Sequence, residues 1–238
     1  MTPRRPQLGS GLGARLWRAL ATAAVALTLT AAAASTPAER SLQTIAPDPD
    51  FVEIKDGPGV AVSLRYATTD NFVHADVYGA FTHAYLRRAG AAELAKAVAL
   101  LQREHPGWKL LIWDALRPRS VQRIFWARVV GTPQQPYVAN PAGGSIHNFG
   151  MAVDLTLLDA DGHQLDMGTG FDNFTDAART DHENALVTSG RLSPAEAANR
   201  LVLRRLMTRA GFHTIPEEWW HFDALPPAEV KAHYRIVE

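Results

Sequence analysis

The stretch SIHNFGMAVDLTL, residues 145–157, decides how the chain is read. After Gly150 its apolar residues alternate: Val153, Leu155 and Leu157 face one way, Ala152, Asp154 and Thr156 the other. A period of two predicts a strand with one packed face and a second face bearing Asp154. A carboxylate inside an apolar strand is costly unless a partner or a metal compensates it. His147 opens the same stretch, directly after GTPQQPYVANPAGGS (131–145), which is too rich in Pro and Gly for either period. A loop of that length in a compact domain is usually functional or disordered.

Outward from this strand, the remaining elements alternate in type. VAVSLRYAT (60–68) reads as a strand through Val60, Val62 and Leu64. AELAKAVALLQREHPG (92–107) is a helix with Leu94, Val98 and Leu101 on one face, stopped by His105-Pro106-Gly107. KLLIWD (109–114) is a short apolar strand, and Arg117-Pro118 turns the chain out of it. SVQRIFWARVV (120–130) is a second helix, with Ser120 as N-cap and Val121, Ile124, Phe125 and Val129 inward. The strongest helix signal is SPAEAANRLVLRRLMTRAG (193–211): Ser193 caps, Pro194 starts, Glu196 completes a capping box and Gly211 stops. EEWWHFD (217–223) is an aromatic strand. Without a regular βαβ rhythm or a Gly-rich phosphate loop, the pattern predicts an α+β fold. Its expected form is a mainly antiparallel central sheet with helices packed around it.

The 238 residues contain no Cys, which removes disulfides, thiolate nucleophiles and Cys-ligated metal; any metal here must use His and carboxylate. Residues 1–35 carry four Arg and no acid, ahead of the uncharged, Ala-rich run 19–35. A basic start, a short apolar run and small residues at its end predict a secretory signal peptide. The alternative, an uncleaved anchor helix, has a run short for a hydrocarbon core of roughly 30 Å. The predicted location is therefore periplasmic or secreted, with no stable membrane anchor after cleavage. The rest of the chain has 20 Lys and Arg against 24 Asp and Glu, a net charge of −4. No basic tract remains for a nucleic-acid partner. Residues 36–50, polar and Pro-bearing, read as a linker, and the domain as 51–238.

Among the nine His and the carboxylates, three positions stand out by setting: His147, Asp154 and His221. Three His or carboxylate ligands with a fourth position open is the donor set of a hydrolytic zinc site. Glu218 then stands as a carboxylate able to take a proton from the attacking water, and Arg117 as a cation for charge developing on a carbonyl oxygen. The helical spacing H-E-x-x-H is absent, so such a site has to be assembled from strands and loops. The competing reading makes His147 a turn residue, Asp154 a local hydrogen-bonding group, EWWHFD a core strand and Arg117 the salt-bridge partner of Asp114. Spacing alone leaves both open. A regular strand also points Glu218 and His221 to opposite faces, so Glu218 has to precede the strand proper or sit at a bulge.

The motif S-x-H-x-x-G-x-A-x-D (Ser145, His147, Gly150, Ala152, Asp154) followed by E-W-W-H (218–221) resembles the D-alanyl-D-alanine dipeptidases of the VanX type. These are zinc peptidases related to the DD-carboxypeptidases, with a Hedgehog/DD-peptidase-like fold. LRYATTDNF (64–72), WDALRP (113–118), DMGTGFD (166–172) and NRLVLRRLMTRAGF (199–212) match in the same order, so the resemblance spans about residue 52 to the C-terminus. It implies one Zn2+ per chain on His147, Asp154 and His221, with Glu218 as general base and Arg117 stabilising the tetrahedral intermediate. It further implies a substrate-binding set of Asp172 for the substrate ammonium, Tyr66 and Ser145 in the pocket wall, and Asp114 orienting Arg117. The substrate implied is the small dipeptide D-Ala-D-Ala, hydrolysed outside the inner membrane because of the leader. Trimming of peptidoglycan stem peptides and a non-catalytic zinc-binding module are the alternatives. Leu116 stands where the family commonly has an aromatic residue, which implies a changed pocket shape.

Overall fold

The structure is a computed structural model and describes residues 36–238; the expected signal peptide lies outside the described residues. In chain order the elements are α1 (Pro37–Ile45), β1 (Phe51–Ile54), β2 (Val60–Val62), β3 (Ala84–Arg87), α2 (Arg88–Glu104), β4 (Lys109–Asp114) and α3 (Arg119–Val129). They continue with β5 (Ala152–Leu158), α4 (Glu183–Thr188), α5 (Pro194–Ala210), β6 (His213–Thr214), β7 (His221–Asp223) and α6 (Pro227–His233). The main sheet has the order β2-β4-β5-β7-β6, and β1 pairs with β3 in a separate antiparallel ribbon.

The class is α+β, but the main sheet is mixed. β2 runs parallel to β4, while β4–β5, β5–β7 and β7–β6 are antiparallel. The expectation of a mainly antiparallel sheet missed the β2 crossover because VAVSLRYAT is not one strand. The paired strand ends at Val62, and after Leu64 the chain turns through a 3-10 helix, Arg65–Ala67.

β5 lies centrally, and every residue from Ala152 to Leu157 is buried. Its polar side therefore faces protein rather than solvent, and Asp154 needs a partner there. Between β4 and β5 the register slips at Ile112/Asp114, so Trp113 and Asp114 together oppose Asp154. Such a bulge bends a strand and re-aims its side chains, often beside active sites.

The helices follow the sequence signals with two corrections. α5 has the full Ser193 capping box, and Gly211 ends it at φ 115°. On α3 the N-cap position is Pro118, so Ser120 lies inside the first turn, and Ile124 is 40% exposed while Val121, Phe125 and Val129 are buried. The segment read as a linker is largely α1, with Thr36 and Glu39 forming a capping box and Ala38 and Ile45 in the core. Nine residues are too few for periodicity to announce a helix amid Pro and polar residues, and its tertiary packing is what holds it.

Candidate metal centre and catalytic cavity

His147 does not open the strand; it sits in a 3-10 turn, Ile146–Phe149, just before β5. Gly150 ends that turn at φ 70°, a conformation that favours glycine. A Cβ there would meet Phe51 at 2.9 Å and the Arg87 amide at 3.4 Å, so the Gly150 of the motif is a packing requirement as well. The turn aims His147 back under the sheet, where its Nδ1–H donates to the Ala115 carbonyl at 2.7 Å. A carbonyl only accepts, so the lone pair is on Nε2. The strand read for EEWWHFD begins only at His221; Glu218 to Trp220 form the turn before it, which resolves the facing problem. His221 pairs across the sheet with Asp154, and its Nε2–H donates to Asp223 at 2.8 Å, leaving the Nδ1 lone pair inward.

Three electron-pair donors thus converge: His147 Nε2, Asp154 Oδ1 and His221 Nδ1, separated by 3.0–3.2 Å. No hydrogen remains between them in these tautomers, so only a cation or an added proton relieves their mutual repulsion. The ligand–ligand edges of a tetrahedral site with bonds of about 2.0–2.1 Å come to roughly 3.3 Å, close to this triangle. All three residues are buried and can hold one metal ion. Burial raises the Asp154 pKa, but His147 and His221 outweigh it and hold the carboxyl well below its ordinary range. Another His/Asp group, Asp159, Asp161 and His163, lies in the turn after β5 and is mostly exposed. There Asp159 Oδ1 already accepts the amides of Asp161 and His163.

A cavity of about 310 Å³ opens over the triangle. Glu218, Arg117, Asp172, Tyr66 and Ser145 line it together with the three ligands. Burial pushes the Glu218 carboxyl up to about 8, against His221, with Asp154 and Asp172 adding to the rise. A base with a pKa near the working pH is the efficient one, and a bound cation beside it draws this value down. Arg117 donates from Nε to Asp114 at 2.8 Å and from Nη1 to Gln122 at 3.0 Å, and Nη2 points at Asp154 at 3.5 Å. Its guanidinium also lies over the Tyr66 and Phe125 rings. Burial opposes the charge, but Asp114 and the surrounding phenols outweigh it and keep Arg117 well above its ordinary value.

Asp172 has φ 57° and accepts from Tyr66 Oη at 2.8 Å and from the Phe72 amide at 3.1 Å. Burial still pushes its carboxyl up to about 7. Around it, Tyr66, Phe72, Phe125 and Phe174 form edge and tilted ring contacts, and Tyr137 from the Pro-rich loop stacks on Phe174 at 5.3 Å. The 167–178 segment is pinned from α5, where buried Arg200 donates to the Met167 and Ala177 carbonyls.

Two expectations need correction. Asp114 does hold Arg117 as expected, but it is fully buried and does not line the cavity with the substrate-binding residues; Tyr78 Oη donates to its other oxygen at 2.6 Å. Leu116 is buried in the core, and its amide donates to the Tyr85 carbonyl, so its identity does not shape the cavity wall directly. The sequence reading also missed Asp223, Gln122, Tyr78 and Lys231. Only Asp223 had a clear signal, because residues two apart on a strand share a face and HFD places it beside His221.

A buried ligand triangle with a raised carboxylate and an anchored guanidinium on one small cavity is the apparatus of a metallopeptidase. The sequence profile described as D-ala-D-ala dipeptidase (Peptidase_M15) matches residues 50–237. The D-alanyl-D-alanine dipeptidase of Escherichia coli (strain K12) is 37% identical over 171 residues, which cover 72% of this chain and 81% of the relative. Those of Enterococcus faecalis and Streptomyces coelicolor are 35% and 31% identical over 186 and 185 residues, in each case 69% of this chain and 85% of the relative. The chain belongs to this D-Ala-D-Ala dipeptidase family of metallopeptidases.

The Asp223 contact carries a prediction of its own. A carboxylate on the far nitrogen of a ligating His fixes its tautomer and raises its basicity. Asp223→Ala is expected to weaken the affinity for an added divalent metal ion by about 10–100-fold, read with Zn2+ by competition with a chromophoric chelator. An unchanged affinity would mean that Asp223 does not orient His221.

Proposed function

We propose that this chain hydrolyses D-alanyl-D-alanine to two D-alanines, with one Zn2+ held by His147, Asp154 and His221. The observation that carries this reading is the joining of the ligand triangle to a small cavity with a buried carboxylate, Asp172, in its wall. A substrate with a free ammonium near its scissile bond fits such a wall, and the family supplies the dipeptide chemistry. When bound, zinc supplies Lewis acidity: it lowers the pKa of a water and polarises a carbonyl. Glu218 takes the proton of the attacking water and passes it to the leaving amine. Arg117, fixed by Asp114 and Gln122, faces the oxygen on which negative charge develops. Asp172, kept in place by Tyr66 and Phe72, receives the substrate ammonium. Export by the basic, Ala-rich leader places this reaction outside the inner membrane, and the reading is supported there by residues 1–35 alone.

A panel of dipeptides varying in chirality at each end, assayed with and without chelator, tests the proposal. D-Ala-D-Ala is expected to be cleaved fastest, with loss of activity in chelator and recovery on adding zinc. Faster cleavage of a pentapeptide stem would instead favour peptidoglycan trimming, and bound zinc without turnover would favour a binding module.

Asp172 separates binding from stability. An acid whose pKa rises on folding holds its proton more tightly in the folded chain. Stability therefore falls as pH climbs from the unfolded value near 4 through the folded value of about 7. Asp172→Asn, which tolerates the same positive φ, removes that penalty. In the metal-free protein its melting temperature is expected to exceed the wild type's at pH 8 and to converge with it at pH 4. Its kcat/KM for D-Ala-D-Ala is expected to fall about 100-fold. A variant equal to wild type in kcat/KM would remove Asp172 from substrate binding.

A further inference from the structure

A dipeptide that is free at both ends brings a carboxylate as well as an ammonium into the cavity, and Asp172 answers only the ammonium. Two cationic side chains other than the ligand histidines line the cavity, Arg117 and Lys231. Arg117, held by Asp114 and Gln122, is assigned above to the oxygen of the scissile carbonyl rather than to the substrate's end. Lys231 differs. It is exposed, it comes from the last turn of α6, and among the described residues its ammonium has no hydrogen-bond or ion-pair partner. Of the acids in the lining, Asp223 is engaged with His221 and Glu217 with Arg179.

Its placement is specific. α6 packs against the 146–149 turn that carries His147. The Lys231 Nζ stands 3.9 Å from where a Cβ on Gly143 would be, which puts the ammonium beside the loop that leads into that turn. Asp172, by contrast, is held by Tyr66 and Phe72 and belongs to the aromatic wall. The two charges come from different walls and are not paired with each other. Two extended residues span about 7 Å, so a dipeptide whose ammonium is held at the aromatic wall carries its carboxylate to another part of the same cavity lining, which includes Lys231. A lysine there acts as a mobile point charge, suited to a carboxylate that must also leave as product.

We infer that Lys231 is a specificity-determining residue that receives the substrate's C-terminal carboxylate and so restricts the site to peptides ending at the residue after the scissile bond. The inference rests on the dipeptidase reading above, and its test is kept separate from turnover. Binding of a phosphinate analogue of D-Ala-D-Ala and of its C-terminal carboxamide to the zinc-loaded protein is measured by calorimetry. The wild type is expected to prefer the free acid by about tenfold. Lys231→Met is expected to reduce that preference to below about twofold, and Lys231→Arg to keep most of it. An unchanged acid-to-amide ratio in Lys231→Met overturns the inference, as does a wild type without any preference. Failure of the wild type to hydrolyse D-Ala-D-Ala would refute the proposed function, while the acid-to-amide ratio would still decide the role of Lys231.

Discussion

Glu218→Ala is expected to lower kcat on D-Ala-D-Ala by about a thousandfold or more, while zinc stays at one per chain. The reasoning starts from position. Glu218 precedes β7 in a turn, three residues before His221, so its carboxylate borders the ligand triangle without belonging to it. Removing it subtracts a proton acceptor from the cavity and leaves the three ion-binding atoms as they are. General acid–base catalysis contributes about 10²- to 10⁴-fold, and one residue serving as base and then acid sits in the upper part of that range. Glu218→Gln, which matches its shape but cannot accept the proton, is expected to be equally slow. Metal analysis alongside steady-state kinetics checks both variants. Full activity in Glu218→Ala with zinc retained would remove it from the reaction.

The second large effect concerns Arg117, and here activity and folding must be separated. Arg117→Ala is expected to lose about 10²- to 10³-fold in kcat through the missing oxyanion partner. It also strands Asp114, which has no exposed surface, and breaking a buried ion pair from one side costs about 3–5 kcal/mol. That variant is therefore expected to melt markedly lower than the wild type. Arg117→Lys keeps a charge near Asp114 but cannot reach Asp114, Gln122 and Asp154 at once. It is expected to recover most of the stability and little of the rate. If Arg117→Lys restored both, Arg117 would be a structural counter-ion only.

Much of this site was legible in the sequence, for physical reasons that differ from residue to residue. Asp154 stood out as a carboxylate in a strand of period two, but spacing left a local hydrogen bond as open as a metal, and the family motif decided between them. α5 was visible because its caps are local chemistry. The sheet's parallel pairing was not, because β2 has three residues and its partner is decided by tertiary packing. α1 was hidden in the same way. Asp114 was grouped with the cavity because sequence adjacency to Arg117 does not reveal depth, and depth is what the bulge at Trp113 changes. Lys231 carried no local mark at all; only the packing of α6 against the His147 turn gives it a meaning.

The cross-strand pairing of Asp154 with His221 has a further consequence for how such a chain can diverge. Those two ligands inherit their separation from backbone register, whereas Asp172, Tyr137 and Phe174 come from loops between elements. Mutational drift in the loops can therefore re-tailor what the cavity accepts without disturbing the hydrolytic machinery. New substrates are open to this scaffold through insertions and exchanges at the rim, while the sheet beneath tolerates almost none.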